Sequence, residues 1–294
     1  MLRVSSFAGV SRLAAALVLG LTVSACETLE SINPLNAFAD KGPKSDIGPD
    51  QPAEVLFNDG LARMEKKQYE QAAKKFAELD KQYPYSNWSR KALVLSTFAN
   101  YEAGEYDDAI ASGRRFVQLY PADPDAAYAQ YLVGMSYFNQ IPDITRDQER
   151  AEKALIALDE VVRKWPRSEY AGDAKRRVQV ARDQLAGKEM EVGRYYLTRR
   201  NYSGAVNRFR EVLVRYQTTR HVEEALMRLS EAYMALGIVP EAQTAAAVLG
   251  HNFPDSPWYK DAFKLLESGG VGPRENTDSW ISKLFKGFQR SVGL

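Results

Sequence analysis

The chain has a single cysteine and two histidines among its 294 residues. A lone cysteine has no partner for an intramolecular disulfide bond, so no such bond stabilises the fold. The histidines, His221 and His251, are far apart in the sequence and have neither a neighbouring cysteine nor HExxH spacing. Zinc sites need ligands at such spacings. The sequence therefore predicts neither a bound metal nor a cofactor.

Groups that carry out catalysis are also missing. The glycine-rich stretch 269–272 lacks both the GxGxxG spacing and the preceding strand of a dinucleotide site. The carboxylate pairs Asp107 with Asp108, and Asp123 with Asp125, fall at predicted helix ends, where acidic residues cap helices. No nucleophile is paired with a base. These absences predict that the protein is not an enzyme.

Charge of one sign is not in excess either. The 39 Lys and Arg residues nearly balance the 38 Asp and Glu residues, for a net charge of +1. A chain without a strongly basic balance is not expected to bind nucleic acid. Hydrophobic residues make up 45% of the chain and include 16 tyrosines. The composition therefore predicts a sizeable core and no nucleic-acid partner.

A continuous apolar run occurs near the beginning of the chain. Residues 1–25 contain Arg3 and Arg12 but no Asp or Glu, followed by the apolar run 13–23 and the small pair Ser24-Ala25. This order is typical of a secretory signal peptide. The run is shorter than the roughly 20 apolar residues that a membrane span needs. Residues 1–25 are therefore predicted to direct export.

The only cysteine follows this signal directly. The tetrad Val23-Ser24-Ala25-Cys26 resembles the lipobox of bacterial lipoproteins, and the resemblance implies that Cys26 is acylated and becomes the first mature residue. Acyl chains on this residue would anchor the protein stably to a membrane. The polar residues 26–51 are predicted to form a flexible tether. Glu27 permits transfer of the lipoprotein to the outer membrane.

The remaining chain repeats one pattern. Five alanines are each followed, eleven and twelve residues later, by a pair of residues. The first residue of the pair is aromatic in all five copies, and the second is proline in four of them. The five alanines and their pairs are Ala72 with Tyr83-Pro84, Ala109 with Tyr120-Pro121, Ala154 with Trp165-Pro166, Ala205 with Tyr216-Gln217, and Ala242 with Phe253-Pro254. Apolar residues within each copy recur three and four positions apart, which indicates one buried helical face. The proline ends the second helix of each copy.

This pattern resembles the tetratricopeptide repeat, a helix–turn–helix unit of about 34 residues. We predict an all-α, right-handed superhelical solenoid of five such repeats over residues 52–267. The alanines are 37, 45, 51 and 37 residues apart, which predicts an insertion in the third repeat at 141–150 and an extended helix before the fourth, over 168–186. Residues 268–294 are predicted to be a hinge and an amphipathic tail.

Several stretches resemble one family of repeat lipoproteins, the BamD family of the outer-membrane β-barrel assembly machinery. The matching stretches, besides the lipobox, are Tyr128-x-x-Tyr131-x-x-Gly134, Trp165–Tyr170, Asp173–Arg177, Tyr195-Tyr196 and Ala205–Arg208. The resemblance implies a non-enzymatic subunit, lipid-anchored at the periplasmic face of the outer membrane. It would bind the POTRA domains of the barrel-forming subunit BamA and help to receive and insert unfolded outer-membrane proteins. Accessory lipoproteins would be further partners.

Another function stays open at this point. Tetratricopeptide lipoproteins also serve as scaffolds that organise cell-wall enzymes or secretion systems, and such proteins would show the same anchor and the same repeats. The number of repeats and the insertion favour the assembly machinery.

A basic block supplies the candidate partner-binding residues. Residues 163–220 contain 15 Lys and Arg against 6 Asp and Glu, and such segregation attracts an acidic partner surface. Arg208 is the first candidate, because it follows the small packing residue of the fourth repeat and because the resemblance places this region against BamA. The other candidates are Arg199 and Arg200, at the preceding turn, and Arg176 and Arg177.

Aromatic residues supply the candidate substrate groove. By the resemblance, Tyr101, Tyr128 and Tyr131 border the groove that accepts the aromatic-ended C-terminal strand of barrel proteins. The tail carries a second aromatic stripe, Trp280, Ile281, Leu284, Phe285 and Phe288, beside basic residues. Three positions are open for it: against the last repeat, on another subunit, or on the anionic membrane surface.

Overall fold

The computed structural model describes residues 51–292, with side chains of the last helix as far as Gly287. The predicted signal peptide, the lipidation site Cys26 and all but the last residue of the predicted tether lie outside the described residues.

Residues 51–292 form twelve α-helices and contain no β-strand. The helices are α1 (Ala53–Glu65), α2 (Tyr69–Gln82), α3 (Asn87–Ala103), α4 (Tyr106–Leu119), α5 (Ala126–Asn139), α6 (Glu149–Lys164), α7 (Ala171–Thr198), α8 (Tyr202–Arg215), α9 (Val222–Ala235), α10 (Val239–Asn252), α11 (Pro257–Ser268) and α12 (Trp280–Val292). The first ten form five consecutive helix pairs. The all-α repeat fold is confirmed, while the right-handed winding stays a prediction.

The register of the repeats follows from one contact between the two helices of each pair. A β-carbon added to Gly60 would lie 2.5 Å from the ring of Phe76, and one added to Gly193 would lie 2.4 Å from the ring of Phe209. In the second repeat the sizes are reversed, because a β-carbon added to Gly113 would lie 3.0 Å from the methyl carbon of Thr97. The contacting pairs are Gly60 with Phe76, Thr97 with Gly113, Gly134 with Leu158, and Gly193 with Phe209, and the same positions of the fifth repeat hold Ser230 and Ala246.

The aromatic–proline pairs end the second helices, as their position in the sequence predicts. In each repeat the aromatic residue is the C-cap, and its backbone N–H donates to the carbonyl four residues earlier; an example is Tyr83 bonded to Leu79 at 2.9 Å. The following proline has no N–H with which to continue the helix. The fourth repeat ends at the same place with Gln217, so proline is not required there.

The two departures from the repeat length pack against each other. The insertion is a loop over residues 140–148, and α7 runs unbroken for 28 residues where the other first helices have 13 to 17. Lys188 of α7 donates to the Thr145 carbonyl at 2.9 Å, and Gln184 donates to the Pro142 carbonyl at 3.1 Å. The predicted insertion and extended helix are both present, but with other bounds: residues 149 and 150 already belong to α6, and the long helix runs over Ala171–Thr198 and not over 168–186. The loop and the long helix therefore form one packed unit.

Successive first helices of the repeats line the inner side of the solenoid. α1 packs on α3, α3 on α5, and α5 on α7, while no contact of similar extent joins α2 to α4 or α4 to α6. Helices that touch across a curved array lie on its inside, and those that diverge lie on its outside. Side chains on the exposed faces of α3, α5 and the start of α7 therefore line a concave surface.

The tail folds back on the last repeat, which was the first of its three open positions. Ile281 and Phe285 are buried in the same cluster as residues of α8, α9 and α10. The Ser279 hydroxyl donates to Glu241 at 2.6 Å, and the Trp280 indole N–H donates to the Tyr233 hydroxyl at 3.2 Å. The described part of the stripe, as far as Phe285, is thereby covered by its own chain.

Candidate functional site

The part of the chain that the structure describes offers surfaces rather than a reactive centre. Within residues 51–292 no group of three His, Cys, Asp or Glu side chains is placed to hold a metal ion. None of the helices described is both long and apolar enough to cross a bilayer. The candidate residues from the sequence lie on two regions of the solenoid, one aromatic and one basic.

Aromatic rings bridge successive first helices along the concave side. Phe98 of α3 lies 6.5 Å from Tyr128 of α5, measured between ring centroids, and Tyr128 lies 5.0 Å from Tyr170 at the start of α7. Tyr131 stacks on Tyr170 at 5.3 Å, and Tyr69, at the start of the second helix α2, lies edge-on to Phe98 at 6.1 Å. All five rings are half-buried. We call these five residues the inner aromatic row.

Polar contacts hold the ring of Tyr131 in place. Its hydroxyl donates to Asp173 Oδ2 at 2.7 Å, and this bond, with further contacts from Arg176 and Arg177, lowers the pKa of Asp173. Burial and the same carboxylate raise the pKa of Tyr131. Burial also raises the pKa of Tyr128 to about 12. Both tyrosines are therefore neutral hydrogen-bonding groups at physiological pH.

Tyr101 lies near this row and is held by its own hydrogen bond and ring contact. The Asn139 amide donates to the Tyr101 hydroxyl at 3.0 Å and lies 3.4 Å from the Tyr106 hydroxyl. The two tyrosine rings are 5.9 Å apart. The three groove candidates from the sequence therefore all belong to one side of the solenoid. Sequence reasoning missed Phe98 and Tyr170 as members of the row.

Arg208 is exposed but already has a partner within the chain. Its Nη1 atom lies 3.1 Å from Glu189 Oε2 of α7, and 44% of its side chain is accessible. The hydrogen bond to Glu189 raises the pKa of the Arg208 guanidinium. An exposed pair of this kind contributes only about 0.2–1 kcal/mol to stability. The guanidinium can therefore be recruited by a partner at small cost to the fold.

Arg199 and Arg200 occupy the turn between α7 and α8. The Arg199 guanidinium lies over the ring of Tyr195, 5.5 Å from its centroid, and 56% of Tyr195 is exposed. Arg200 has a backbone φ of 58°, in the left-handed region that non-glycine residues rarely adopt. An exposed ring with an adjacent cation is the composition of a protein-binding surface.

The five candidate arginines do not form a single patch. Arg176 and Arg177 lie in the first two turns of α7, where both contact Asp173, and the Arg177 guanidinium lies over Phe138 at 5.0 Å. At a rise of 1.5 Å per residue, Arg176 is about 35 Å along the helix from Arg199. Arg176 and Arg177 border the inner aromatic row, whereas Arg199, Arg200 and Arg208 belong to the fourth repeat.

These features define a helical-repeat protein of the tetratricopeptide type. The sequence profile of the outer membrane lipoprotein family YfiO matches residues 49–249. The chain belongs to this family.

Relatives from three bacteria are similar over most of the chain, and each carries the name outer membrane protein assembly factor BamD. The protein of Caulobacter vibrioides is 44% identical over 76% of this chain and 73% of its own length. That of Rickettsia prowazekii is 36% identical over 87% and 96%, respectively. That of Neisseria meningitidis serogroup A is 33% identical over 84% and 92%. The resemblance to the BamD family is confirmed.

Proposed function

We propose that this protein is a non-enzymatic scaffold of outer-membrane β-barrel assembly, anchored through a lipidated Cys26 on the periplasmic face. One surface binds the POTRA domains of the barrel assembly subunit BamA, and another receives unfolded outer-membrane proteins before insertion. The name shared by relatives that align over most of the chain supports this role. Accessory lipoproteins are further partners in the same proposal.

The observation that carries the proposal is the inner aromatic row. It presents half-buried rings with fixed hydroxyl groups along a concave surface. Aromatic faces bind other aromatic side chains by about 0.5–1.5 kcal/mol beyond the burial of area. An extended segment that ends in an aromatic residue, as barrel strands do, matches such a surface. Tyr101, Tyr128 and Tyr131 are therefore assigned to substrate binding.

The basic surface of the fourth repeat is assigned to the POTRA domains. Arg208, Arg199 and Arg200 lie on one helix and the turn before it, next to the exposed ring of Tyr195. Arg208 exchanges its bond with Glu189 for a carboxylate of the partner. A change to a charge at the rim of such an interface alters mainly the association rate, whereas truncation of one partner of a central hydrogen-bonded charge pair costs about 2–5 kcal/mol.

Reversal of the charge of Arg208 tests this assignment. Arg208→Glu should weaken binding to the purified periplasmic region of the barrel assembly subunit by more than tenfold, because repulsion replaces attraction. The melting temperature should fall slightly, because the new carboxylate faces Glu189. Titration at low and moderate salt measures the affinity, and equal affinities for wild type and variant would remove Arg208 from the interface.

A charge swap supplies the matched control. Glu189→Arg combined with Arg208→Glu restores the pair within the chain but moves its cation to α7. This double variant should melt like the wild type and still bind weakly. Binding restored together with stability would show that only the internal pair matters. A Glu or Asp of the partner changed to Arg should rescue Arg208→Glu.

Affinity isolation from solubilised envelopes separates the two classes of function. A barrel protein with POTRA domains as the main partner supports the assembly role. Peptidoglycan enzymes or secretion components as the main partners would instead support the alternative scaffold role.

A further inference from the structure

The α12 helix and the four residues before it mark a groove of the solenoid that accepts an amphipathic helix with its N-terminal cap. The groove lies on the outer side, where α8 and α10 diverge. The contacts there are made by Trp280 of α12 and by Asn276 and Ser279 just before it, and they involve one residue of α8, one of α9 and two of α10. These are Arg210 over the Trp280 ring at 5.1 Å, Tyr233 bonded to the Trp280 indole, Glu241 bonded to Ser279, and Thr244 bonded to the Asn276 N–H at 3.2 Å.

The repeat register transfers these four positions to the first two repeats. We align Ala205 with Ala72, Ala242 with Ala109 and Ser230 with Thr97, which hold the same positions in their repeats. Each contact residue then has one counterpart in the first two repeats. The counterparts of Arg210, Tyr233, Glu241 and Thr244 are Ala77, Asn100, Asp108 and Ala111. All four line one open groove of about 790 Å³ between α2 and α4. This groove has no helix of the described chain in it.

The lining of the open groove differs from that of the occupied groove in size and polarity. Two exposed alanines, Ala77 and Ala111, stand where the occupied groove has Arg210 and Thr244, so the open groove has room for larger side chains. An ion pair between Asp80 and Arg115, at 2.7 Å, replaces the apolar Leu213 and Val248 at its floor. A helix of the α12 type therefore still fits the open groove, which also accepts larger and more polar side chains.

Charged residues at the two ends of the open groove favour one orientation of a bound helix. Glu70 is paired with Lys74, whose charge also acts on Glu105, and Asp108 has no ion pair among residues 51–292; both carboxylates lie at the end where α4 begins. Lys81 lines the opposite end, in the last turn of α2. A helix has a partial positive charge at its N-terminus and a partial negative charge at its C-terminus. The α12 segment likewise begins beside Glu241, the counterpart of Asp108.

We propose that the α2–α4 groove binds an amphipathic helix of a partner protein, which enters with its N-terminus beside Glu105 and Asp108. The 14 residues of α2 give the groove room for about four helical turns. This site is separate from the inner aromatic row, which lies on the concave side, and from Arg208 in the fourth repeat.

A peptide of known groove-binding sequence provides the probe. Residues 279–292 of this chain, acetylated at the N-terminus, amidated and fluorescently labelled, are titrated against the full-length lipidated protein in detergent. We expect saturable binding that Ala111→Trp abolishes, because the indole fills the groove. Ala122→Trp, an exposed alanine in the next turn of the chain, is the matched control and should bind like the wild type.

A second variant tests the charges without filling the groove. Glu105→Lys with Asp108→Lys should weaken peptide binding at least tenfold and reverse its salt dependence, while circular dichroism stays unchanged. Absence of wild-type binding up to about 1 mM peptide, which corresponds to about −4 kcal/mol, would overturn the proposal. So would binding that Ala111→Trp leaves intact, or that Ala122→Trp removes equally, since the peptide would then occupy another surface.

Discussion

The contact between Gly193 and Phe209 leads us to expect that Gly193→Ala destabilises the protein. Replacement of glycine by alanine inside a helix normally stabilises it by about 1 kcal/mol. At Gly193 the added methyl carbon would lie 2.4, 2.7 and 2.9 Å from three atoms of the Phe209 ring. Phe209 is fully buried among core residues of α7, α8 and α9. The ring therefore cannot turn aside without displacing its neighbours.

The sign of the effect follows from two opposing magnitudes. Overpacking a dense core costs typically about 1–3 kcal/mol, which exceeds the gain in helix propensity. Gly193→Ala should therefore lower the free energy of unfolding by about 1 kcal/mol. For a chain of this size that corresponds to a fall in melting temperature of roughly 2–4 °C.

The same helix contains a matched control. Gly172 is in the second position of α7, and a methyl group added there would meet no atom within 4 Å. Gly172→Ala should stabilise the protein by at most about 0.5–1 kcal/mol. Urea unfolding of the two variants at one protein concentration measures both. If both substitutions stabilise the protein, the proposed contact between α7 and α8 is absent in solution.

A double variant shows whether the clash is with Phe209. The fifth repeat solves the same packing problem with Ser230 and Ala246. Gly193→Ala combined with Phe209→Ala should therefore cost less than the sum of the two single changes, by about 1 kcal/mol of coupling. Additive effects would mean that the methyl group meets something else.

Three further outcomes are expected. Cys26→Ser should leave an unlipidated precursor that is no longer anchored, and fatty-acid label retained on the variant would contradict the lipobox interpretation. Ala205, fully buried between α7 and α8, should tolerate no bulk, so Ala205→Trp should cost about 1–3 kcal/mol or more, and an unchanged melting temperature would contradict the repeat register. Burial lowers the pKa of His221 from its ordinary 6.5. Near this pH the folded chain therefore binds fewer protons than the unfolded chain, and the free energy of unfolding should fall as the pH drops through about 6.5. His221→Gln should reduce this dependence of the free energy of unfolding on pH.

The helices and their packing could be predicted because each rests on local sequence signals. The spacing from the alanine to the aromatic residue placed the second helix of every repeat, and the small residues placed the first helix against it. The lengths between alanines revealed both the insertion and the long α7. These signals are periodic, and periodic apolar patterns report directly which face of a helix is buried.

The surfaces could be predicted only in part, because they depend on which helices face one another. Phe98 and Tyr170 belong to the inner aromatic row through contacts with Tyr128 across different helices. The pairing of Arg208 with Glu189 joins residues 19 positions apart on two helices. A count of basic residues over 163–220 grouped Arg176 with Arg199, although helix length separates them. Distances between helices are not encoded in the period of a single helix.

The length of α7 sets a spacing between the two proposed binding events. One uninterrupted helix of 28 residues, about 42 Å long, has Tyr170 of the inner aromatic row at its start and Arg199 at its end. The loop over residues 140–148 packs against the middle of α7, and no turn interrupts the helix. A client chain held at one end must stretch at least about 12 extended residues to reach a partner at the other. In the proposed function, a client end shorter than this stays at the inner aromatic row, and only a longer segment reaches the basic surface of the fourth repeat.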